Sequence, residues 1–164
     1  MLTPDPCPKT SGPQYPREPL RFKHMAFQVV GWQEIVKLKP EEPHLLIRAV
    51  SPKFRDADAR FRPPPNDLCV ATLAVEFDDV DWPTAEHKII GEPEAQQIVD
   101  LVKSHCSEVS LIVCVCAMGR NRSAAIAAAL SEVLNGESQI FFKQFRPTEL
   151  AYRTILSVAN KALR

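Results

Sequence analysis

The sequence has no excess of charge of either sign. Its 164 residues include 20 Lys and Arg against 20 Asp and Glu, so the formal net charge is zero. A protein that covers nucleic acid needs a surplus of basic residues, because much of its affinity comes from contacts with phosphates. The balance therefore argues against nucleic acid as a partner, but it leaves room for a small local anion pocket.

Long apolar runs are missing as well. No stretch approaches the roughly eighteen consecutive apolar residues that indicate a membrane span. The first ten residues, MLTPDPCPKT, place no apolar core behind a basic start and so do not resemble a secretory signal. We therefore expect a cytoplasmic protein with no membrane partner.

The cysteines lack any regular spacing. The five cysteines lie at positions 7, 69, 106, 114 and 116, an odd number with no repeated spacing, which argues against a disulfide framework. The one close pair, Cys114 and Cys116, has no second Cys or His pair at ligand spacing around it. We predict no metal and no other cofactor.

Proline is concentrated at the start, where six of the fifteen prolines fall within the first twenty residues. Because proline fixes φ and lacks an N–H donor, we predict a proline-rich extension over residues 1–22. A single domain is then expected over residues 23–164, which is long enough to bury most of its apolar surface.

That domain alternates between strand-like and helix-like segments. Strand candidates lie at 25–30, 44–50, 68–77 and 111–116, and the last is a continuous apolar run typical of a strand buried on both faces. Apolar stripes predict helices at about 93–104, 123–134 and 149–163, with a helical turn at 32–37. The alternation predicts an α/β fold with a central, mostly parallel sheet flanked by helices.

The segment that carries chemistry joins the last strand candidate to an alanine-rich helix. It consists of Cys116, Ala117, Met118, Gly119, Arg120, Asn121, Arg122 and Ser123. Backbone N–H groups at such a junction, together with the helix dipole, favour a tetrahedral anion. Gly119 supplies the backbone freedom that a tight ring of amides needs, and the planar fork of Arg122 can hold two phosphate oxygens.

Cys116 lies at the base of this electropositive ring. Those surroundings favour its thiolate, which is the nucleophilic form of cysteine. Ser123 can donate its hydroxyl to the sulfur and help it to leave from a phosphocysteine intermediate, while Arg120 and Asn121 are expected to hold the loop or its rim. The alternative is a buried cysteine at a strand end, beside a serine that caps a helix.

The pattern C-x5-R-[ST], with glycine as its fourth residue, resembles the signature of the protein tyrosine and dual-specificity phosphatase superfamily. Only Cys116 satisfies it, because Arg120, six residues after Cys114, is followed by Asn121. The segments LAVEFDDVD and RPTELAYRTIL look like those of small bacterial predicted tyrosine phosphatases. The resemblance implies the phosphotyrosine protein phosphatase-like fold. It also implies a substrate that is a phosphorylated protein, with phosphotyrosine, or a small aryl phosphate.

The resemblance also implies a general acid aspartate on a loop that follows the preceding strand. Asp78, Asp79 and Asp81 lie 38, 37 and 35 residues before Cys116, in that position. We favour Asp79, then Asp81, then Asp78. Three acids in four positions are also what a solvated loop shows.

One position departs from the family pattern. Family members usually have histidine just before the cysteine, where it hydrogen-bonds within the loop and keeps the thiolate poised, and this chain has Val115. Two alternatives therefore stay open. One is a binding module that holds a phosphorylated partner without useful turnover, and the other is a rhodanese-type sulfur-transfer or arsenate-reducing enzyme. The sequence does not indicate the oligomeric state.

Overall fold

The computed structural model describes residues 24–163. Its elements, in chain order, are β1 Ala26–Val30, α1 Trp32–Ile35, β2 His44–Val50, α2 Arg55–Ala59, β3 Cys69–Glu76, α3 Glu92–His105, β4 Leu111–Val115, α4 Arg122–Asn135, α5 Gln139–Gln144 and α6 Glu149–Leu163. Each predicted strand and each of the three predicted helices is present within one residue of its expected ends. The predicted extension over 1–22 lies outside the described residues.

The four strands form one parallel sheet in the order β1-β4-β2-β3. Strand β4 lies inside the sheet, and all five of its residues are buried, as its continuous apolar sequence requires. In register, Ile47 of β2 pairs with Cys114 and Arg48 pairs with Val115. The predicted α/β fold, with a parallel sheet flanked by helices, is confirmed.

The two faces of the sheet have different covers. Helices α3, α4 and α6 pack over the face that carries Ile47 and Cys114, and they form the main apolar core with it. The other face, which carries Val113 and Val115, builds a smaller core with Ile35 of α1. None of the helices within residues 24–163 has the length and apolar character needed to cross a bilayer.

Helices α3 and α4 follow from their sequences. Helix α3 begins after Gly91, whose N–H donates to Glu94 Oε1 at 2.7 Å, and it turns a stripe of four buried residues to the core: Ala95, Ile98, Val99 and Val102. Helix α4 is rich in buried alanines, which let it approach the sheet and α6 closely. It ends at Asn135 and is capped by Gly136, whose φ of +74° is typical of a helix C-cap.

All four strands end at the same edge of the sheet, because all four run parallel. The residues that follow β1, β2, β3 and β4 are Gly31, Ser51, Phe77 and Cys116 respectively. In open α/β sheets, ligands bind outside the carboxyl ends of the strands. The fold thus brings the predicted nucleophile to this edge, beside backbone from the three other strands.

Candidate active site

The loop between β4 and α4 turns its carbonyl groups toward the protein. The carbonyls of Ala117, Arg120 and Asn121 accept hydrogen bonds of 2.9 to 3.2 Å from the N–H groups of Trp32, Arg146, Ala125 and Thr148. In contrast, the N–H groups of Ala117, Met118 and Gly119 donate to no acceptor within residues 24–163. Three consecutive N–H groups without an acceptor in the described residues, in a loop held by its carbonyls, have the character of an anion-binding nest.

Two glycines let this loop touch the chain that leaves β1. Gly119 has a φ of +69°, and a Cβ placed there would lie 2.6 Å from the carbonyl carbon of Val30. A Cβ on Gly31 would in turn lie 2.9 Å from the carbonyl carbon of Met118. Any larger residue at either position would push the two backbones apart. Glycine is therefore needed at 119 for its conformation, and at both positions for space.

Cys116 and Ser123 are in direct contact. The Cys116 side chain is 2% exposed, and its Sγ lies 3.0 Å from the Ser123 Oγ. Burial raises the pKa of the Cys116 thiol, but the Ser123 hydroxyl, the Ser123 N–H, the charge of Arg122 and the Arg120 N–H outweigh it. The pKa therefore lies below the ordinary value for cysteine, as expected of a nucleophilic thiol at a helix N-terminus.

Removing the Ser123 hydroxyl is expected to make Cys116 less acidic. A hydrogen bond to a charged group contributes about 1.5 to 3 kcal/mol, so Ser123→Ala should raise the thiol pKa by roughly one to two units. Because only the thiolate reacts with iodoacetamide, the half-maximal pH of Cys116 alkylation should shift upward by that amount. Alkylation is followed at the Cys116 peptide by mass spectrometry.

The matched control is Ser131→Ala, which removes another buried serine of α4 that bonds with Asn135. It should leave the alkylation profile in place. An unchanged profile in Ser123→Ala would show that the hydroxyl does not stabilise the thiolate.

Arg122 is the first residue of α4 and is held along one edge only. Its side chain is 7% exposed, and its Nη1 donates to the Phe77 carbonyl at 2.9 Å and to Ser51 Oγ at 3.0 Å. Neither Nε nor Nη2 has an acceptor in the described part of the chain. The edge that carries them can therefore hold two oxygens of a bound anion.

The three aspartates of the loop after β3 have different partners. Asp78 is buried, and its carboxylate accepts the Lys88 N–H at 2.7 Å. Asp79 is exposed and accepts the Thr148 hydroxyl. Asp81 is exposed and accepts the N–H of Leu150, near the start of α6, at 3.0 Å. Within residues 24–163, none of them bonds directly with Cys116 or Arg122, so the predicted acid and the predicted nucleophile lie on separate loops.

Thr148 joins these two loops, and the sequence did not single it out. Its N–H donates to the Asn121 carbonyl, and its hydroxyl donates to Asp79. The only signal in the sequence was the segment RPTELAYRTIL, which contains it. Gly31, Ser51 and the Phe77 carbonyl were missed as well, because each comes from a strand end distant along the chain.

The other cysteines take no part in this contact set. Cys114 is fully buried among the core residues, and burial raises the pKa of its thiol, as does the neighbouring Cys116. Cys69 is half-buried and free. Cys106 is disulfide-bonded, although the odd number and irregular spacing of the cysteines argued against a disulfide framework.

Comparison with known proteins finds similarity at the level of solved structures. No protein-family model matches the chain, and no curated protein matches it. Similar structures include PTPMT1 in complex with PI(5)P, with a TM-score of 0.48 and 11% identity over 73% of this chain and 78% of that chain. Another is human tyrosine phosphatase-like serine/threonine/tyrosine-interacting protein, with a TM-score of 0.47 and 14% identity over 74% and 80%.

A second structure of PTPMT1 has a TM-score of 0.45 and 14% identity, and covers 73% of this chain and 80% of that chain. The chemistry of the candidate active site is set by the loop from Cys116 to Ser123 and its contacts.

Proposed function

We propose that the chain hydrolyses phosphomonoesters through a phosphocysteine intermediate on Cys116. One observation carries this proposal: a buried cysteine of lowered pKa lies in a loop whose N–H groups at 117–119 have no acceptor within residues 24–163, and it lies beside an arginine with Nε and Nη2 unengaged there. A tetrahedral dianion is the ligand that such donors suit. The substrate class, protein phosphotyrosine or a small aryl phosphate, comes from the resemblance of the loop motif.

In the first step, the Cys116 thiolate attacks phosphorus in line with the departing oxygen. The S–P bond forms as the P–O bond to the leaving group breaks, and the leaving oxygen takes its proton from Asp79. The loop N–H groups and Arg122 hold the other three oxygens, where negative charge is concentrated. These groups supply the positive charge that the step needs, so the proposal includes no metal and no cofactor.

In the second step, water releases the phosphate. The Asp79 carboxylate takes a proton from the water, whose oxygen attacks phosphorus as the S–P bond breaks. The electron pair of that bond returns to sulfur, and the Ser123 hydroxyl, 3.0 Å away, donates a hydrogen bond to the re-formed thiolate. Inorganic phosphate leaves, and the aspartic acid is protonated again for the next cycle.

Asp79 is our choice of acid because its hydrogen-bond partner also contacts the loop that holds Cys116. Asp78 is tied by its carboxylate to the backbone of Lys88, and Asp81 bonds near the start of α6. Asp79 bonds with Thr148, which also bonds with Asn121 of the loop from Cys116 to Ser123, here called the phosphate loop. This contact links its carboxylate to the loop that holds Cys116.

Asp79→Asn is expected to lower kcat by about 10²-fold on phenyl phosphate, because asparagine cannot donate a proton to the leaving oxygen. The loss should be smaller on p-nitrophenyl phosphate, whose leaving group needs less protonation. The matched control is Asp81→Asn, which keeps an oxygen acceptor for the Leu150 N–H and should retain most of the activity. A larger loss in Asp81→Asn than in Asp79→Asn would move the acid role to Asp81.

The proposed function is tested by incubating the purified protein with p-nitrophenyl phosphate in EDTA across about pH 5 to 8. We expect turnover that EDTA does not reduce and that inorganic phosphate inhibits. No turnover above the background without protein would contradict the proposal.

Val115 favours one other function, a module that binds a phosphorylated partner without hydrolysing it. That function predicts saturable binding of a phosphotyrosine peptide and an ordinary thiol pKa, with no turnover. Sulfur transfer from thiosulfate or reduction of arsenate, without phosphatase activity, would instead indicate the rhodanese-type enzyme.

A further inference from the structure

A buried arginine lies next to the position where the family histidine is missing. Arg48 pairs in register with Val115, so the two side chains leave neighbouring strands on the same face of the sheet. Arg48 is only 2% exposed, within a strand whose other residues are mostly apolar. A charged group is rarely buried to this degree unless it is paired.

The partner of Arg48 is Asp58 of α2. The guanidinium donates to the two carboxylate oxygens through Nε at 3.1 Å and Nη2 at 2.8 Å, and Nη2 also donates to the Phe61 carbonyl at 2.7 Å. Asp58 is 5% exposed, and Arg48 Nη1 is buried without a partner within the described residues. The free energy lost when two charges leave water offsets much of the attraction between them. A contribution to stability alone therefore explains this pair poorly.

Trp32 contacts both the Arg48–Asp58 pair and the phosphate loop. The indole Nε1 donates to Asp58 Oδ1 at 3.0 Å, and the ring stacks on Phe61 with a centroid distance of 4.7 Å. The backbone N–H of the same Trp32 donates to the Ala117 carbonyl at 3.1 Å. Its neighbour Gly31 lies against Met118 and Gly119 of that loop.

We propose that Arg48 and Asp58 are positioning residues, which fix Trp32 and thereby hold the start of α1 against the phosphate loop. Through this contact they keep the N–H groups of residues 117–119 directed to one point. In this chain, support for the loop then comes from the neighbouring strand, and not from the residue before the nucleophile. The effect of this positioning on catalysis rests on the proposed function. Its effect on the Cys116 thiol can be measured without turnover.

The test replaces both charges at once, in Arg48→Met/Asp58→Leu. Removing only one would leave an uncompensated buried charge and unfold the chain for reasons unrelated to the loop, whereas apolar pairs often substitute well for buried ion pairs. The folded state is checked by near-UV circular dichroism and thermal unfolding. The readout is the pH profile of Cys116 alkylation, with Arg122, the charged group that acts on its thiol, unaltered.

We expect the folded double variant to alkylate with a half-maximal pH raised by about half a unit or more, because the Arg120 N–H that supports the thiolate moves with the loop. On p-nitrophenyl phosphate, kcat should fall at least about tenfold while KM changes less, since misplacement of the donors acts mainly on the transition state. A folded double variant with the wild-type alkylation profile and wild-type kcat would overturn the proposal.

A second pair of variants tests the contact between the start of α1 and the phosphate loop, and it leaves Arg48 and Asp58 unchanged. Gly31→Ala places a Cβ against Met118 and should shift the alkylation profile in the same direction. The matched control is Gly91→Ala. Gly91 also precedes a helix in extended backbone and donates to a glutamate three residues on, but it lies beside α3 and away from the loop.

These results separate the two proposals. The wild-type protein could lack turnover while the alkylation profile still shifts in the double variant and in Gly31→Ala. That result would contradict the proposed function and support the positioning role. The wild-type protein could instead have turnover while the variants at 31, 48 and 58 keep its kcat and its alkylation profile. That result would contradict the positioning role alone.

Discussion

Cys116→Ser is expected to lose turnover of p-nitrophenyl phosphate by about 10⁴-fold or more, to the level of the background reaction. A serine hydroxyl has no ionised form near neutral pH and cannot replace the thiolate as nucleophile. The loop N–H groups and the guanidinium of Arg122 stay in place, so binding of inorganic phosphate should remain. Turnover is measured by release of p-nitrophenol, and phosphate binding by isothermal titration calorimetry.

The matched control for this substitution is Cys114→Ala. Cys114 lies two residues earlier on the same buried strand, as a free thiol that packs among core residues. Its loss removes a sulfur atom from the core and should lower the thermal unfolding temperature, but not kcat. Loss of turnover in Cys114→Ala with full activity in Cys116→Ser would contradict the assignment of the nucleophile.

Arg122→Lys is expected to reduce kcat/KM by about 10²- to 10³-fold. Lysine keeps the positive charge but offers a single flexible ammonium group, which cannot hold two equatorial oxygens in a fixed plane. It also cannot bond with Ser51 and the Phe77 carbonyl while pointing two further donors at the anion, as the arginine geometry allows. The inhibition constant for inorganic phosphate should rise along with the loss of turnover.

The control here is the same substitution at an arginine nearby. Arg146 is exposed, and its backbone N–H donates to the Arg120 carbonyl of the loop, so Arg146→Lys should leave kcat/KM within about twofold. If Arg122→Lys behaved in the same way, the phosphate would not be held by the guanidinium fork, and the loop amides would have to account for its binding.

Much of the fold could be predicted because its signals are local. The apolar run of β4 and the stripes of α3, α4 and α6 depend on residues a few positions apart, and their ends were placed within one residue. The loop from Cys116 to Ser123 is local in the same way, since one strand end and one helix start bring its donors together.

The supports of the site could not be predicted, because they depend on contacts between distant segments. Arg48 stands inside an apolar run, and its partner Asp58 lies in a charged stretch that looks solvated in the sequence. The choice among Asp78, Asp79 and Asp81 likewise depends on partners far along the chain, such as Thr148. Helices α2 and α5 were missed because each has at most six residues, too few to show a periodicity.

The site depends on cooperative folding, because it is built at four neighbouring strand ends, by Gly31, Ser51, Phe77 and Cys116. Parallel strands pair only across long connections, as when β1 pairs with β4. No hairpin or other local fragment can bring these four residues together, so the contacts of Gly31, Ser51 and Phe77 with the loop and with Arg122 exist only when all four strands have paired. Activity of the site therefore requires assembly of the entire sheet. A destabilising substitution anywhere in the core will lower activity in proportion to the unfolded fraction.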